Sequence, residues 1–242
     1  MAADKWRNEL ERLCTKISAA NGANDQRRAS ELNEVLRIAL DADSTLRAVE
    51  ADAKGLNLRG LRLQDTALLG IDFSSSDISN GDFSGTKLPN AKFVGCILDS
   101  TAFIGSTLED ADFSNAKITK ADFRGASLIG VKGFGSASIS GAMIDETQAV
   151  DVAISIFGEA ATRRMVGKEG LDKLIGRLEG RGFSVERLQN AQLRQALREI
   201  EQMDLTRGNT RRMVQQAFGK IGAGEQPFIP TVVGGGKGRQ TR

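Results

Sequence analysis

From Leu58 to Leu128 of this 242-residue chain, every fifth residue is large and apolar. The series runs Leu58, Leu63, Leu68, Phe73, Ile78, Phe83, Leu88, Phe93, Leu98, Phe103, Leu108, Phe113, Ile118, Phe123, Leu128. At a hydrophobic content of 40%, chance would produce such a run on the order of once in a million trials. A second series lies two residues earlier and is small in its later half: Ala91, Cys96, Thr101, Ser106, Ala111, Ala116, Ala121, Ala126. Asp often separates the two, as at Asp72, Asp77, Asp82, Asp112 and Asp122, and Gly, Ser or Asn commonly follows two residues after the large one. A period of five fits neither the 3.6 of a helix nor the 2 of a strand. A chain that turns a corner every five residues satisfies it, with the small and large residues inward and the other three outward.

Residues 111–130 read A-D-F-S-N, A-K-I-T-K, A-D-F-R-G, A-S-L-I-G, which closely resembles the pentapeptide repeat, A-[DN]-[LF]-x-x. The resemblance covers about residues 56–145 and implies a right-handed quadrilateral β-helix with four repeats per coil. After Leu128 the period slips by one, and Phe134, Ile139 and Ile144 resume it, so one residue is inserted near Val131–Gly133. Eighteen repeats make about four and a half coils, a rod of roughly 20 Å at ~4.8 Å per coil. Phe alternates with Ile or Leu from Phe73 to Leu128. Alternate repeats fall on opposite faces of a four-sided coil, so Phe73, Phe93 and Phe113 should form one core column and Phe83, Phe103 and Phe123 the column facing it.

The flanks read as helices. Trp6, Leu10, Leu13, Cys14 and Ile17 share one helical face, and Leu32, Val35, Leu36 and Leu40 another; a shorter helix is expected from Ser44 to about Asp52. The last of these should cap the first coil, and the other two should pack together or dimerise. Beyond the repeats, helices are expected over about 147–166, around Leu171, Leu174, Ile175 and Leu178, from a Ser184 cap to about Met203, and at Met213–Phe218. The expected fold class is therefore mixed α and β: a β-helix flanked by N-terminal and C-terminal α-helical segments. The domains are a helical segment over 1–54, the β-helix over 55–145, a helical module over 146–221 and a flexible Gly-rich basic tail over 222–242.

Composition narrows the chemistry. The chain has no His, which excludes a Ser-His-Asp triad, a Cys-His dyad and any His-ligated metal centre. Cys14 and Cys96 are too few and too far apart for a disulfide framework or a zinc site. Gly234-Gly235-Gly236-Lys237 lacks the first Gly and the Ser/Thr of a phosphate loop, with Thr231 and Gly238 in those places. No catalytic residue, cofactor or metal is expected. No apolar run is long enough to span a membrane, and the opening residues do not read as an export signal, so a cytoplasmic protein is expected.

Function should then lie on the outward positions. Pentapeptide-repeat proteins of the fluoroquinolone-resistance type act as DNA mimics that occupy a type II topoisomerase, which needs long columns of carboxylates. Here Asp72, Lys92 and Asp112 alternate in sign down one face, and Lys117 follows Asp77 on the next. Alternation suits ion pairing between coils rather than mimicry of a polyanion. A cluster of outward apolar residues, Val94, Ile97, Ala102 and Ile104, is a candidate contact patch, for which a terminal helix of this same chain is the expected cover, while Leu69 and Ile129 look isolated. Residues 146–242 hold 16 Lys/Arg against 11 Asp/Glu, which raises a nucleic-acid-binding adaptor as a further alternative. Glu186, Glu199 and Glu201 offset Arg187, Arg194 and Arg198, so nucleic acid is disfavoured. The reading that accounts for every feature is a non-enzymatic scaffold, binding a protein of unknown identity or self-associating through its helical ends.

Overall fold

The computed structural model describes residues 2–41 and 51–187, with side chains described over 8–36, 51–167 and 169–187. Each repeat turns between its large residue and the small residue three positions on. The Cys96 amide donates to the Phe93 carbonyl at 3.1 Å, and Ala116 to Phe113 at 3.0 Å. The third residue of every such turn from Gly55 to Gly130 has φ between +55° and +69°, and Lys120 alone among them is not Gly, Asn, Asp or Ser. Left-handed backbone recurring every five residues is why these small types recur at this position.

Parallel bridges join residues twenty apart in four series: Asp52–Asp72–Lys92–Asp112–Lys132, Asn57–Asp77–Ile97–Lys117, Arg62–Asp82–Ala102–Asp122 and Ala67–Lys87–Thr107–Ser127. Strand length is reached at β1, Lys117–Thr119, which pairs with β2, Ser138–Ser140. Ala51 and Ala53 are buried on either side of the first bridge. The repeats thus begin by Ala51, and Ala51 and Asp52 belong to the rod rather than to the end of the helix expected there. The rest of that expected helix, with Trp6 and Leu40 as side chains, lies outside the described residues.

The inserted residue is visible in the register. Asp112 pairs with Lys132, twenty residues on, whereas Lys117 pairs with Ser138 and Asp122 with Met143, twenty-one on. The extra residue is absorbed in a wider turn, in which the amides of Ser136 and Ala137 both donate to the Gly133 carbonyl at 3.0 Å. Phe134 thereby stays inside. Phe73, Phe93, Phe113 and Phe134 stack with ring centroids 5.6, 5.0 and 5.2 Å apart. Phe83, Phe103 and Phe123 stack at 5.3 and 5.1 Å. The two stacks meet edge to face, as at Phe93–Phe103, 5.4 Å, the geometry that aromatic quadrupoles favour.

The first coil is closed by a helical hairpin, α1 (Ala2–Gly22) and α2 (Gln26–Asp41), which pack on each other. Within the rod, the residue before each large one bonds the coil below through both its amide and its carbonyl. The first coil has no coil below, and helix side chains stand in for one. The Asp52 amide donates to Glu11 Oε1 at 2.9 Å and the Asn57 amide to Ser18 Oγ at 2.8 Å. Asn21 Nδ2 donates to the carbonyls of Asn57 and Arg59 at 3.0 and 3.2 Å, and Asn33 Nδ2 to Gly60 at 3.4 Å. Leu10, Leu13, Cys14 and Ile17 of α1 and Leu32 and Leu36 of α2 are buried. Val35 is not: it is 50% exposed, at the rim of a face centred on Ala29, Leu32 and Leu36.

At the other end, β3 (Ala142–Asp145) leads through a 3₁₀ turn (Glu146–Gln148) into α3 (Ala149–Phe157), α4 (Glu159–Glu169) and α5 (Leu171–Glu179). Buried Gln148 donates through Nε2 to the carbonyls of Phe123 and Ala126 at 2.6 and 2.7 Å. The single helix expected over 147–166 is two, because the chain passes through φ +82° at Gly158. Leu174, Ile175 and Leu178 of α5 join the core of the rod. The chain then returns as β4 (Phe183–Glu186), parallel to β3 with Met143 opposite Ser184. Ser184 therefore sits in a strand and caps no helix. Phe183 and Val185 face the core while Ser184 and Glu186 face out, and Phe183 meets the Phe134 ring edge-on at 5.7 Å. The remainder of the helix expected to Met203, the helix at Met213–Phe218 and the tail lie outside the described residues.

Candidate interaction surface

The outward Asp residues have a local task. Asp72, Asp77, Asp82, Asp112 and Asp122 each accept the amide two residues on, at 2.8–3.1 Å. A short carboxylate that bonds its own backbone holds the corner that follows it. The same carboxylates meet cations. Lys92 lies 3.6 Å from Asp72 one coil below, Lys54 3.9 Å from Asp72, Arg59 3.4 Å from Asp77 and Lys117 2.9 Å from Asp99. Arg124 reaches Asp122 at 2.7 Å and Glu186 of β4 at 2.9 Å, tying the returning strand to the rod. Burial pushes the carboxyls of Asp72, Asp82, Asp99 and Asp122 up, but hydrogen bonds and nearby cations outweigh it, and all four lie below the ordinary carboxylate range.

The four outward apolar residues do not form one column. Val94 and Ile97 flank one corner, and Ala102 and Ile104 flank Phe103 on the next side. Ile97 stacks between Asp77 and Lys117, and Ala102 between Asp82 and Asp122. Ile97 is 38% and Ile104 45% exposed, while Val94 and Ala102 are half-buried. Within this cluster the exposed apolar area is thus concentrated on two isoleucines, which no described helix covers. Leu69 and Ile129 share a column with Pro89 and Glu109, since the amides of Gly70, Asn90 and Asp110 donate in turn to Pro89, Glu109 and Ile129. Their spacing of sixty residues, three times the coil, carried that relationship in the sequence.

Residues 57–95 and 96–132 each match the family described as pentapeptide repeats (8 copies). The rod is built of pentapeptide repeats. Such repeats imply a right-handed β-helix. No curated protein matches the chain. Similar solved structures include a pentapeptide repeat protein from the thylakoid lumen of Arabidopsis thaliana, 34% identical over 36% of this chain and 56% of that one, with a TM-score of 0.31. A pentapeptide repeat protein from the cyanobacterium Cyanothece is 18% identical over 41% and 88%, with a TM-score of 0.28. A plasmid-mediated fluoroquinolone resistance protein is 14% identical over 40% and 70%, with a TM-score of 0.19. The chain spans little more than half the length of the Arabidopsis protein.

Inside the pentapeptide-repeat rod, several small polar residues donate to the coil below, Ser76 Oγ to the Ala53 carbonyl at 2.7 Å, Cys96 Sγ to Phe73 at 2.8 Å and Thr101 Oγ1 to Ile78 at 3.1 Å, while Thr66 Oγ1 and Ser106 Oγ donate to Leu63 and Phe103 of their own turns at 2.8 Å. Cys14 and Cys96 are free and buried, and burial pushes both thiols up to about 12. Among the described residues, no group of three or more His, Cys, Asp or Glu could hold a metal ion, and no helix is long and apolar enough to cross a membrane. The surface offers mostly paired charges, exposed Leu69, Ile97 and Ile104, and the helical ends.

Proposed function

We propose that this chain is a non-enzymatic interaction protein. It is a rigid four-sided coil of about four and a half turns that binds other proteins, or itself, through its helical ends and through Ile97 and Ile104. The observation that carries this reading is the division of labour among side chains. The interior is taken by stacked Phe rings and aliphatic residues at or near zero exposure, and the outward carboxylates of Asp72, Asp77, Asp82, Asp99, Asp112 and Asp122 are engaged with their own corners or with Lys and Arg. A DNA mimic that occupies a type II topoisomerase needs uncompensated carboxylates, and the cations at Lys54, Arg59, Lys92, Lys117 and Arg124 weigh against it. An adaptor for nucleic acid would rest on the basic C-terminal third, most of which lies outside the described residues.

The test is a pull-down with the full chain beside an Ile97→Glu/Ile104→Glu variant. A protein retained by the first and lost by the second supports the reading. Partners retained equally by both would remove the isoleucines from it. A supercoiling assay run with the same preparations separates the alternative, since inhibition or protection of the topoisomerase at micromolar protein would replace the scaffold with the DNA mimic.

A further inference from the structure

The side of the rod backed by Leu68, Leu88, Leu108 and Leu128 differs from the rest. Between its corners, its outward positions form two columns, Ala67–Lys87–Thr107–Ser127 by parallel bridges and Leu69–Pro89–Glu109–Ile129 by backbone bonds. Six of these eight residues are uncharged, and Leu69 is 39% exposed. Lys87 and Glu109 are the two charges of these columns, with Asp110 at the adjoining corner, and neither Lys87 nor Glu109 makes a salt bridge or side-chain hydrogen bond with a described residue, in contrast to Lys92, Lys117 and Arg124.

The order of residues along this side is self-complementary. A two-fold axis along the strand direction, midway between the coils of Lys87 and Thr107, reverses the order of the coils. It sets Leu69 opposite Ile129 of a second copy and Ala67 opposite Ser127. Pro89 then faces Glu109 and Lys87 faces Thr107. Lys87 comes within two residues, ~7 Å along the strand, of Glu109 of the second copy, which a lysine stem spans. The symmetry makes every such contact twice. We propose that this side is a self-association surface, on which two copies pack with their rods antiparallel and Lys87 of each meets Glu109 of the other. Four coils at ~4.8 Å and about three extended residues across give the side on the order of 200 Å² in plan, well below the ~800 Å² per partner of stable interfaces, so the dimer is weak and forms at high micromolar concentration.

Charge reversal and charge exchange test the surface on the full chain, by sedimentation equilibrium over a concentration series. Lys87→Glu and Glu109→Lys should each weaken the dimer roughly tenfold, because both copies carry the repulsion. The exchanged variant, Lys87→Glu/Glu109→Lys, should restore it. Lys87 is exposed and Glu109 half-buried on the surface, and unchanged circular dichroism and melting serve as the folding control. A wild-type chain that stays monomeric at high micromolar concentration overturns the inference. So does a dimer indifferent to all three variants, which would place self-association at the helical ends instead, and so does an exchanged variant as weak as the single ones.

Discussion

A β-carbon on Gly133 would lie 2.1 Å from the backbone nitrogen of Ser114 in the neighbouring coil. Gly133 also has φ +87°. It stands where the inserted residue is absorbed, and the two coils approach there more closely than any side chain allows.

Gly133→Ala should therefore destabilise the chain by about 3 kcal/mol, combining a backbone clash with a left-handed non-Gly residue. The urea midpoint reads this directly. Gly105→Ala is the control: an added β-carbon has nothing within 4 Å, so only the backbone cost at φ +64° applies, about 1 kcal/mol. Equal losses in the two variants would contradict the close approach.

Phe103 is fully buried, stacked between Phe83 and Phe123 and edge-on to Phe93 and Phe113. Truncation to Ala should cost about 3–5 kcal/mol. Phe103→Leu should cost less, because the columns on the other sides already hold Ile and Leu. Denaturant melts of the two variants rank them, and a Leu variant as unstable as the Ala variant would mean that ring stacking outweighs volume.

Asn21→Asp converts a double donor into an acceptor set against the carbonyls of Asn57 and Arg59. Leaving both carbonyls unmatched should cost about 1–3 kcal/mol. Hydrogen exchange locates the effect: the amides of Asp52 and Asn57, held by Glu11 and Ser18, should exchange faster while Phe93 and Phe103 stay protected. Uniform acceleration along the rod would show that the hairpin does not open by itself.

Asp72, Asp82, Asp99 and Asp122 all ionise below their ordinary range in the folded chain. A folded-state pKa below the unfolded one adds stability that is fully present above the unfolded value, near 3.9, and is lost as pH falls through the folded one. Melting temperature should thus hold between pH 5 and 7 and drop progressively below about pH 4. Asp122→Asn should lower the plateau and flatten the acid limb, since Asp122 is the most buried member of the Arg124 cluster. An acid limb unchanged by that substitution would assign the loss to other carboxylates.

Burial pushes the thiols of Cys14 and Cys96 up to about 12. The thiolate is the reactive form, so a colorimetric thiol reagent at pH 8 should leave both untouched in the native chain and modify both in urea. A raised thiol pKa also means that stability falls as pH climbs past the ordinary thiol range, near 8.5, where the unfolded chain ionises first. Prompt modification of Cys96 without denaturant would contradict a closed core.

Much of the rod was legible because each repeat restates the same local instruction. The residue two after the large one must take left-handed backbone, the Asp before it bonds its own corner, and the large residue has one inward place to go. The slip after Leu128 was legible for the same reason, since any departure from a strict period is local. Reading the patch was harder. Val94, Ile97, Ala102 and Ile104 are close in sequence, but the corner between them turns them onto different sides, and each stacks on residues twenty away.

By itself, the sequence determined the five-residue turn, the inward columns of Phe, Ile and Leu, and the inserted residue that keeps Phe134 among the rings. Only the tertiary structure decided how the rod is closed. β4 pairs with β3 across forty-one residues, and four residues of Phe-Ser-Val-Glu are too short a run to announce a strand. The N-terminal hairpin read as amphipathic helices, yet its work is done by polar side chains, Glu11, Ser18, Asn21 and Asn33, that take the bonds of an absent coil. A repeat can be read from its period because every copy carries the same energy terms. An end is unique, and its partners are found only when the chain has folded back on itself.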